Sequence, residues 1–124
     1  MKRRVLESWL LFIYFDCVMR FRGFSRVHAV VRKQRFRPGT RRRPEAADLS
    51  HAVDLACVFY FKRVRCLQRS AALAVLLRRH GWYAEMVIGA QLCPPLFHAW
   101  VETAGRVVND KSHVTQMFQV LERC

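Results

Sequence analysis

Acidic residues are scarce in this chain of 124 residues. It carries 9 Asp and Glu against 22 Lys and Arg, which gives a formal net charge of +13. A surplus of that size favours an acidic partner, a nucleic acid or an anionic membrane surface, because each of these is attracted to a positive surface. The charge alone does not choose among the three classes, so the choice depends on the rest of the sequence.

Paired cysteine and histidine spacings are also missing. The cysteines are odd in number and far apart in the chain: Cys17, Cys57, Cys66, Cys93 and Cys124. A secreted disulfide framework normally has an even number of cysteines, and a structural zinc site normally has C-x-x-C or H-x-x-x-H pairs, so neither is expected here. The sequence instead predicts reduced thiols in the cytoplasm, with no metal and no other cofactor.

No apolar run in the sequence approaches the ~20 residues that are needed to cross a bilayer. The run from Trp9 to Phe15 ends at Asp16, and no small-residue cleavage site of a signal peptide follows it. Apolar residues recur there at helical spacing, so we predict an amphipathic or buried helix from Val5 to Phe21. Packing in the core is the favoured role of this helix, and contact with a membrane surface is the alternative.

A chain of this length is expected to form one compact domain. The segment from Arg32 to Pro44 has seven positive charges, two prolines and a glycine, which predicts an exposed linker that is either simply solvated or holds an acidic partner. Residues 1–47 are expected to form an N-terminal helix and this linker, packed on a core formed by residues 48–124. A second helix is predicted to begin at Pro44 and to run to Phe59, because proline is tolerated in a first helical turn.

The third predicted helix, from Cys66 to Arg79, is apolar almost all round, which places it at the centre of the fold. Basic residues in its last turn and Gly81 just beyond it are typical of a helix C-terminus. At the other end, Arg65 offers no side-chain oxygen to cap the free backbone N–H groups. A thiolate at Cys66 is stabilised by that positive helix end, although a small buried cysteine is the ordinary alternative.

Beyond the third helix the hydrophobic period changes to two, which predicts strands. The predicted strands are Trp82 to Ala90, Leu96 to Glu102 and Arg106 to Asp110, with a break at Leu92-Cys93-Pro94-Pro95. If Thr103-Ala104-Gly105 is a three-residue hairpin loop, the register of the hairpin follows from it. The facing pairs are then Glu102 with Arg106, Trp100 with Val108, and His98 with Asp110.

The last of these pairs places an imidazole beside a carboxylate, which suggests catalysis. A thiol becomes nucleophilic when a base takes its proton, and the base acts best when a third group holds its ring. Cys66, His98 and Asp110 supply these three groups in that order, on a helix and two strands. Each residue alone has an ordinary structural explanation, but their order and predicted pairing make them the candidate catalytic residues.

The stretches that contain these residues resemble the B-protein family of lasso-peptide biosynthesis, whose members are transglutaminase-like leader peptidases. The resemblance covers residues 48–124 and rests on Cys66-Leu67-Gln68-Arg69-Ser70, Leu76-Leu77-Arg78-Arg79-His80-Gly81, Val87-Ile88-Gly89, Phe97-His98-Ala99-Trp100-Val101-Glu102 and Val107-Val108-Asn109-Asp110. Phe97 departs from the family, which often has alanine there. The resemblance implies an α+β fold of the papain-like/transglutaminase-like kind, with helices followed by a small antiparallel sheet.

The resemblance also implies a function. Such a cysteine peptidase removes the leader from a ribosomally made precursor peptide, after which an asparagine-synthetase-like cyclase closes a macrolactam ring. Cys66 matches the nucleophile, His98 the general base and Asp110 the orienting carboxylate, and Gln68 is a weak candidate for stabilising the oxyanion. The chain resembles the stand-alone peptidase form of the family, so a separate leader-recognition protein in a bacterial cytoplasm is an expected partner.

Three alternatives remain open at this stage. A transglutaminase-type acyl transferase or an amidase can use the same triad, and analysis of the products distinguishes it from a peptidase. A nucleic-acid-binding protein explains the basic segment, but Phe36 is its only aromatic residue and no nucleic-acid-binding motif is present. If the chain is a catalytically silent adaptor, loss of Cys66 has no effect on processing of the precursor.

Overall fold

The computed structural model describes residues 2–34, 44–92, 95–110 and 114–124. Helices come first along the chain, and a small sheet follows. The elements are α1 Lys2–Arg22, α2 Phe24–Lys33, α3 Ala46–Phe59, α4 Cys66–Arg79, β1 Ala84–Leu92, β2 Pro95–Thr103, β3 Arg106–Val107, α5 Val114–Met117 and β4 Gln119–Arg123. This order confirms the α+β class that the sequence predicts.

The first helix extends slightly beyond its predicted ends, and a helix that was not predicted follows it. Gly23 separates the two helices with a φ of 83°, a left-handed conformation that glycine adopts without strain. Arg32 and Lys33 form the last turn of α2, so the prediction that the linker begins at Arg32 is wrong. Their positive charges complement the negative end of that helix. The rest of the basic segment, residues 35–43, lies outside the described residues.

The central helix α4 has the predicted bounds, and its C-terminus shows why they are sharp. Gly81 has a φ of 88°. The N–H of Trp82 donates to the carbonyl oxygen of Leu77 at 2.9 Å, and the N–H of Gly81 donates to that of Arg78 at 3.3 Å. These two bonds form a Schellman motif, which satisfies carbonyl groups that the end of the helix would otherwise leave unpaired.

The antiparallel sheet has the strand order β3-β2-β1-β4. In the β2–β3 hairpin, Thr103 pairs with Arg106 and Glu102 pairs with Val107. The loop therefore has two residues, Ala104 and Gly105, with φ values of 51° and 74°. The predicted three-residue loop and its register are wrong by one residue, because positive φ at both loop residues forms the tight turn that suits twisted strands.

Strand β3 is also shorter than the prediction, which extended it to Asp110. The ladder continues for one more bond, from the N–H of Val108 to the carbonyl oxygen of Val101 at 2.8 Å. The N–H of Val101 then donates to the side-chain Oδ1 of Asn109 at 2.9 Å. A side chain thus replaces the backbone acceptor, and residues 108–110 leave the strand.

The two faces of the sheet pack differently. Met86 and Val101 belong to the main core, which they share with buried residues of all four long helices. Val87 and Trp100 point to the other face, because side chains alternate along a strand, and there they pack with Val114 and Phe118. The helical layer therefore covers one face, and the segment around α5 covers part of the other.

Apolar residues of α1 pack in the main core. Its side chains Leu11, Phe12 and Phe15 are buried against α3 and α4. Among the helices of the described ranges, none combines the length and the apolar character that crossing a membrane requires.

Candidate active site

His98 and Asp110 are in direct side-chain contact. The Nε2 atom of His98 lies within hydrogen-bond distance of Oδ2 of Asp110, and the two side chains are 29% and 24% exposed. The sequence predicts this contact, but through a strand register that is wrong. The contact forms because residues 108–110 leave the ladder and bring the carboxylate to the ring from outside the strand pairing.

The imidazole of His98 packs beside two aromatic rings that also contact each other. Its centroid lies 5.3 Å from the ring of Phe118 and 6.1 Å from that of Trp100. The indole N–H of Trp100 donates to Glu102 at 2.8 Å, which fixes the larger ring. Across the strand pair, a Cβ at Gly89 would come within 2.7 Å of the Trp100 ring, so only glycine fits there. These contacts hold the imidazole at a defined position on β2.

Asn109 connects the carboxylate segment to the central helix. Its Nδ2 donates to Oγ of Ser70 at 3.1 Å, and its backbone carbonyl accepts a hydrogen bond from Arg69 at 2.5 Å. Ser70 in turn donates to the carbonyl oxygen of Ala99, next to His98, at 3.0 Å. Four groups on α4, β2 and the Asp110 segment are therefore joined in one network. Nothing in the sequence marks Asn109 for this role, although it lies in one of the stretches that resemble the B-protein family.

Cys66 is the first residue of α4, and its side chain is exposed. The N-cap residue Arg65 makes no capping hydrogen bond through its side chain, as the sequence predicts. The sulfur therefore lies at the positive end of a helix, where the first backbone N–H groups have no side-chain cap. The structural alternative, a small buried cysteine, does not describe this residue.

The other described cysteines have different environments. Burial raises the pKa of Cys57 and that of Cys124, so both thiols are harder to ionise than an ordinary cysteine. Cys17 is exposed but lies in the middle of α1 rather than at a helix start. Cys93 lies outside the described residues. Among the cysteines that the structure describes, Cys66 is the one that combines exposure with a helix N-terminus.

Cys66 and His98 are not joined directly in this structure. Within the described residues, no hydrogen bond links the thiol to the imidazole. The central helix packs on the sheet face that carries Val101, whereas His98 shares its face with Trp100. The connection between them runs through Ser70, which lies one helical turn after Cys66 and bonds to Ala99. The structure thus brings two of the three predicted residues together and places the third at the start of the adjoining helix.

An open groove lies beside Cys66, with a volume of about 980 Å³. Its walls come from the second half of α1 and from the chain that leads into α4. The lining residues are Asp16, Met19, Arg20, Lys62, Arg63, Val64, Arg65, Cys66 and Gln68. A substrate chain that reaches the thiol has room in this groove.

Gln68 lines the groove but is already bonded within the protein. It is buried, and its Nε2 donates to the carbonyl oxygen of Phe12 at 2.7 Å. The amide therefore anchors α4 to α1, and its oxyanion role stays a prediction.

Comparison with known proteins gives a family match over most of the chain. Residues 10–123 match the family model described as the Transglutaminase-like superfamily. The chain is 31% identical over 70 residues to the microcin J25-processing protein McjB of Escherichia coli, a match that covers 55% of this chain and 34% of that protein. The aligned part therefore spans about a third of the length of that relative. No solved structure is significantly similar to this chain.

Proposed function

The chain belongs to the transglutaminase-like superfamily, and from that membership we propose that it is a cysteine peptidase which removes the leader from a ribosomally made lasso-peptide precursor. The observation that carries this proposal is the contact of His98 on β2 with Asp110 just beyond β3, in a chain whose central helix begins with an exposed cysteine. The similarity to a microcin J25-processing protein supports the choice of a precursor peptide as substrate.

In the first step, the thiolate of Cys66 attacks the carbonyl carbon of the scissile bond. A C–S bond forms and the C–N bond breaks, while protonated His98 gives its proton to the leaving nitrogen. The core peptide departs with a free amino terminus, and the leader stays on the sulfur as a thioester. The backbone N–H of Cys66, at the start of α4, is the proposed donor to the oxyanion.

In the second step, water releases the leader. His98 takes a proton from the water, the new C–O bond forms, and the thiolate of Cys66 leaves as the thioester breaks. Asp110 is the positioning residue, because its carboxylate holds the imidazole in the orientation that both proton transfers need. The new carboxylic acid of the leader loses its proton to solvent, and the released carboxylate, the thiolate of Cys66 and protonated His98 complete the cycle.

The thiol and the imidazole have to meet during this reaction. Catalytic hydrogen bonds are often long or absent before the substrate binds and become short in the complex. The Ser70–Ala99 bond limits how far α4 and β2 can separate, so the required approach is a local one at the start of α4 and of β2. Substrate bound in the groove beside Cys66 is the natural cause of that approach.

The partners belong to the proposal as well. They are the precursor peptide with its leader, a separate leader-recognition protein, and an asparagine-synthetase-like cyclase that closes the macrolactam. Tethering by the recognition protein raises the local concentration of substrate, so we expect slow cleavage of the precursor alone and much faster cleavage when that protein is present. The cytoplasm is the proposed location.

The proposal is tested by replacing each of the three residues and measuring leader removal by mass spectrometry. Cys66→Ala and His98→Ala should abolish processing, whereas Asp110→Asn should impair turnover less completely, because the orienting group is the most replaceable member of such a triad. Limited treatment with iodoacetamide near neutral pH should label Cys66 before any other cysteine. Circular dichroism establishes that each variant is folded.

The matched control is Cys17→Ala, which removes an exposed cysteine that does not lie at a helix start. It should process the precursor like the unchanged protein. Full processing by Cys66→Ala would contradict the proposal and support a silent adaptor. If the leader is joined to an added amine and no hydrolysis occurs, the activity is that of an acyl transferase and not of a peptidase.

A further inference from the structure

The groove beside Cys66 carries a charge pattern that points to a substrate class, an inference that rests on the proposed function. We propose that this groove binds an acidic segment of the peptide substrate, close to the bond that Cys66 attacks. The segment supplies Asp or Glu side chains, and the groove supplies guanidinium groups. This interaction gives the chain a preference of its own, in addition to any recognition by a partner.

The lining of the groove is strongly cationic. Four of its side chains are positive: Arg20, Lys62, Arg63 and Arg65. The one acidic side chain, Asp16, is bound by Lys62 at 3.0 Å and by the hydroxyl of Tyr60. That ion pair leaves the guanidinium groups of Arg20 and Arg63 with no further acid among the described residues that line the groove.

The chemistry of guanidinium favours a carboxylate. Its planar, forked donors bind a carboxylate with two parallel hydrogen bonds, which a neutral peptide group does not offer. Arg20 and Arg63 are exposed at the surface of the groove, so an incoming chain can reach both of them. Cys66 lies in the same groove, so a peptide held by these arginines also lies against the thiol.

A nucleic acid is the competing polyanion, and the lining argues against it. Single-stranded nucleic acids bind proteins by stacking their bases on aromatic side chains in addition to charge contacts. The described residues that line the groove include no aromatic ring. The remaining apolar groups there, Met19 and Val64, suit aliphatic parts of a peptide chain.

The test measures protection of Cys66 from iodoacetamide in the unchanged protein. The probe is an octapeptide of alternating Glu and Gly, and its counterpart has Gln in place of Glu. Mass spectrometry follows alkylation of Cys66, and glutathione in the same solution is the reference for the activity of the reagent. Because the measurement needs no cleavage, it reads occupancy of the groove even if the chain proves not to be a peptidase.

The Glu peptide should protect Cys66, but not the added glutathione, at a concentration about fivefold lower than the Gln peptide requires, which is the size expected for exposed charge contacts. Protection should be lost in Arg20→Gln/Arg63→Gln and at 1 M salt, where charge contacts are screened over ~3 Å. The control Arg3→Gln/Arg26→Gln removes the same charge from exposed positions outside this groove. In this variant the Glu peptide should still protect Cys66.

Three results would overturn the proposal. One is equal protection by the two peptides, or none by either. Another is protection that survives in Arg20→Gln/Arg63→Gln. The third is stronger protection by an octamer of deoxyadenylate than by the Glu peptide, which would assign the groove to nucleic acid. Normal processing of a precursor together with any of these results would leave the peptidase function intact and refute the acidic preference alone.

Discussion

Asp16 shows how a single residue joins the first helix to the groove. It accepts a hydrogen bond from Tyr60 and forms an ion pair with Lys62 at 3.0 Å. Partial burial on its own raises the pKa of this carboxyl, but the contacts with Tyr60 and Lys62 outweigh it and hold the pKa below its ordinary value. The same contact and the burial of Tyr60 raise the pKa of that phenol.

The lowered pKa predicts a pH dependence of stability. In the window between the folded and unfolded pKa values, the folded state binds fewer protons at Asp16 than the unfolded state, so stability falls as the pH falls. Asp16→Asn should lower the urea midpoint at pH 7 and flatten its decline between about pH 5 and about pH 3. Asp54→Asn, at a carboxylate that is 52% exposed and 3.7 Å from Arg69, is the control and should keep the decline.

The sequence alone predicts the roles of some residues and not of others. Cys66 and its uncapped helix end could be predicted, because capping depends on neighbours in the chain. The roles of Asn109 and Asp16 could not, because their partners Ser70 and Tyr60 lie 39 and 44 positions away in sequence. Nothing local marks such a pairing.

At the scale of elements, the turn of the β2–β3 hairpin places an alanine in a backbone conformation that favours glycine. Ala104 occupies the first of two positions that require positive φ, at 51°. An L-residue with a Cβ in this conformation costs roughly 1 kcal/mol, which glycine does not incur. Asn-Gly or Gly-Gly is the preferred pair in such turns.

Ala104→Gly should therefore raise the free energy of unfolding by roughly 0.5 to 1 kcal/mol, measured from urea midpoints. The companion Gly105→Ala should lower it, since Gly105 has a φ of 74° with no atom near the added Cβ, so strain of the backbone is its only cost. A lower midpoint for Ala104→Gly would show that the turn is not strained at this residue.

The sequence predicted some elements well and others poorly, depending on whether nearby residues signal where the element ends. The bounds of α4 were predicted correctly because Gly81 and the basic last turn signal the end locally. The hairpin register failed because Thr103-Ala104-Gly105 fits both a two-residue and a three-residue loop, and only the pairing of the strands decides between them. The helix α2 was missed because its basic last turn was assigned to the linker.

At the scale of the whole molecule, Arg78 connects parts of the chain that are distant in sequence. Its guanidinium is buried and donates to backbone carbonyl groups at the end of α2, at the start of β1 and beyond β4: those of Val31, Gln34, Ala84 and Cys124. Burial lowers the pKa of this group. A single side chain thus satisfies acceptors on several elements that surround α4.

Arg78→Met should lower the free energy of unfolding by about 3 kcal/mol, because it leaves buried carbonyl groups without donors. The neighbouring Arg79→Met is the matched control. Arg79 is 39% exposed and pairs with Glu7 at 3.1 Å, and such a surface pair contributes less than about 1 kcal/mol. Equal losses in the two variants, measured by chemical denaturation, would refute the connecting role of Arg78.

The bond from the N–H of Val101 to the side chain of Asn109 has a consequence for local opening of the fold. Strand β3 holds its neighbour over two residues, so the segment that carries Asp110 is secured mainly by Asn109. That amide exchanges its hydrogen with solvent when the side chain of Asn109 detaches from it, so the opening takes place one residue from Asp110. The exchange rate of the Val101 amide therefore reports how often the segment beside the imidazole–carboxylate pair opens.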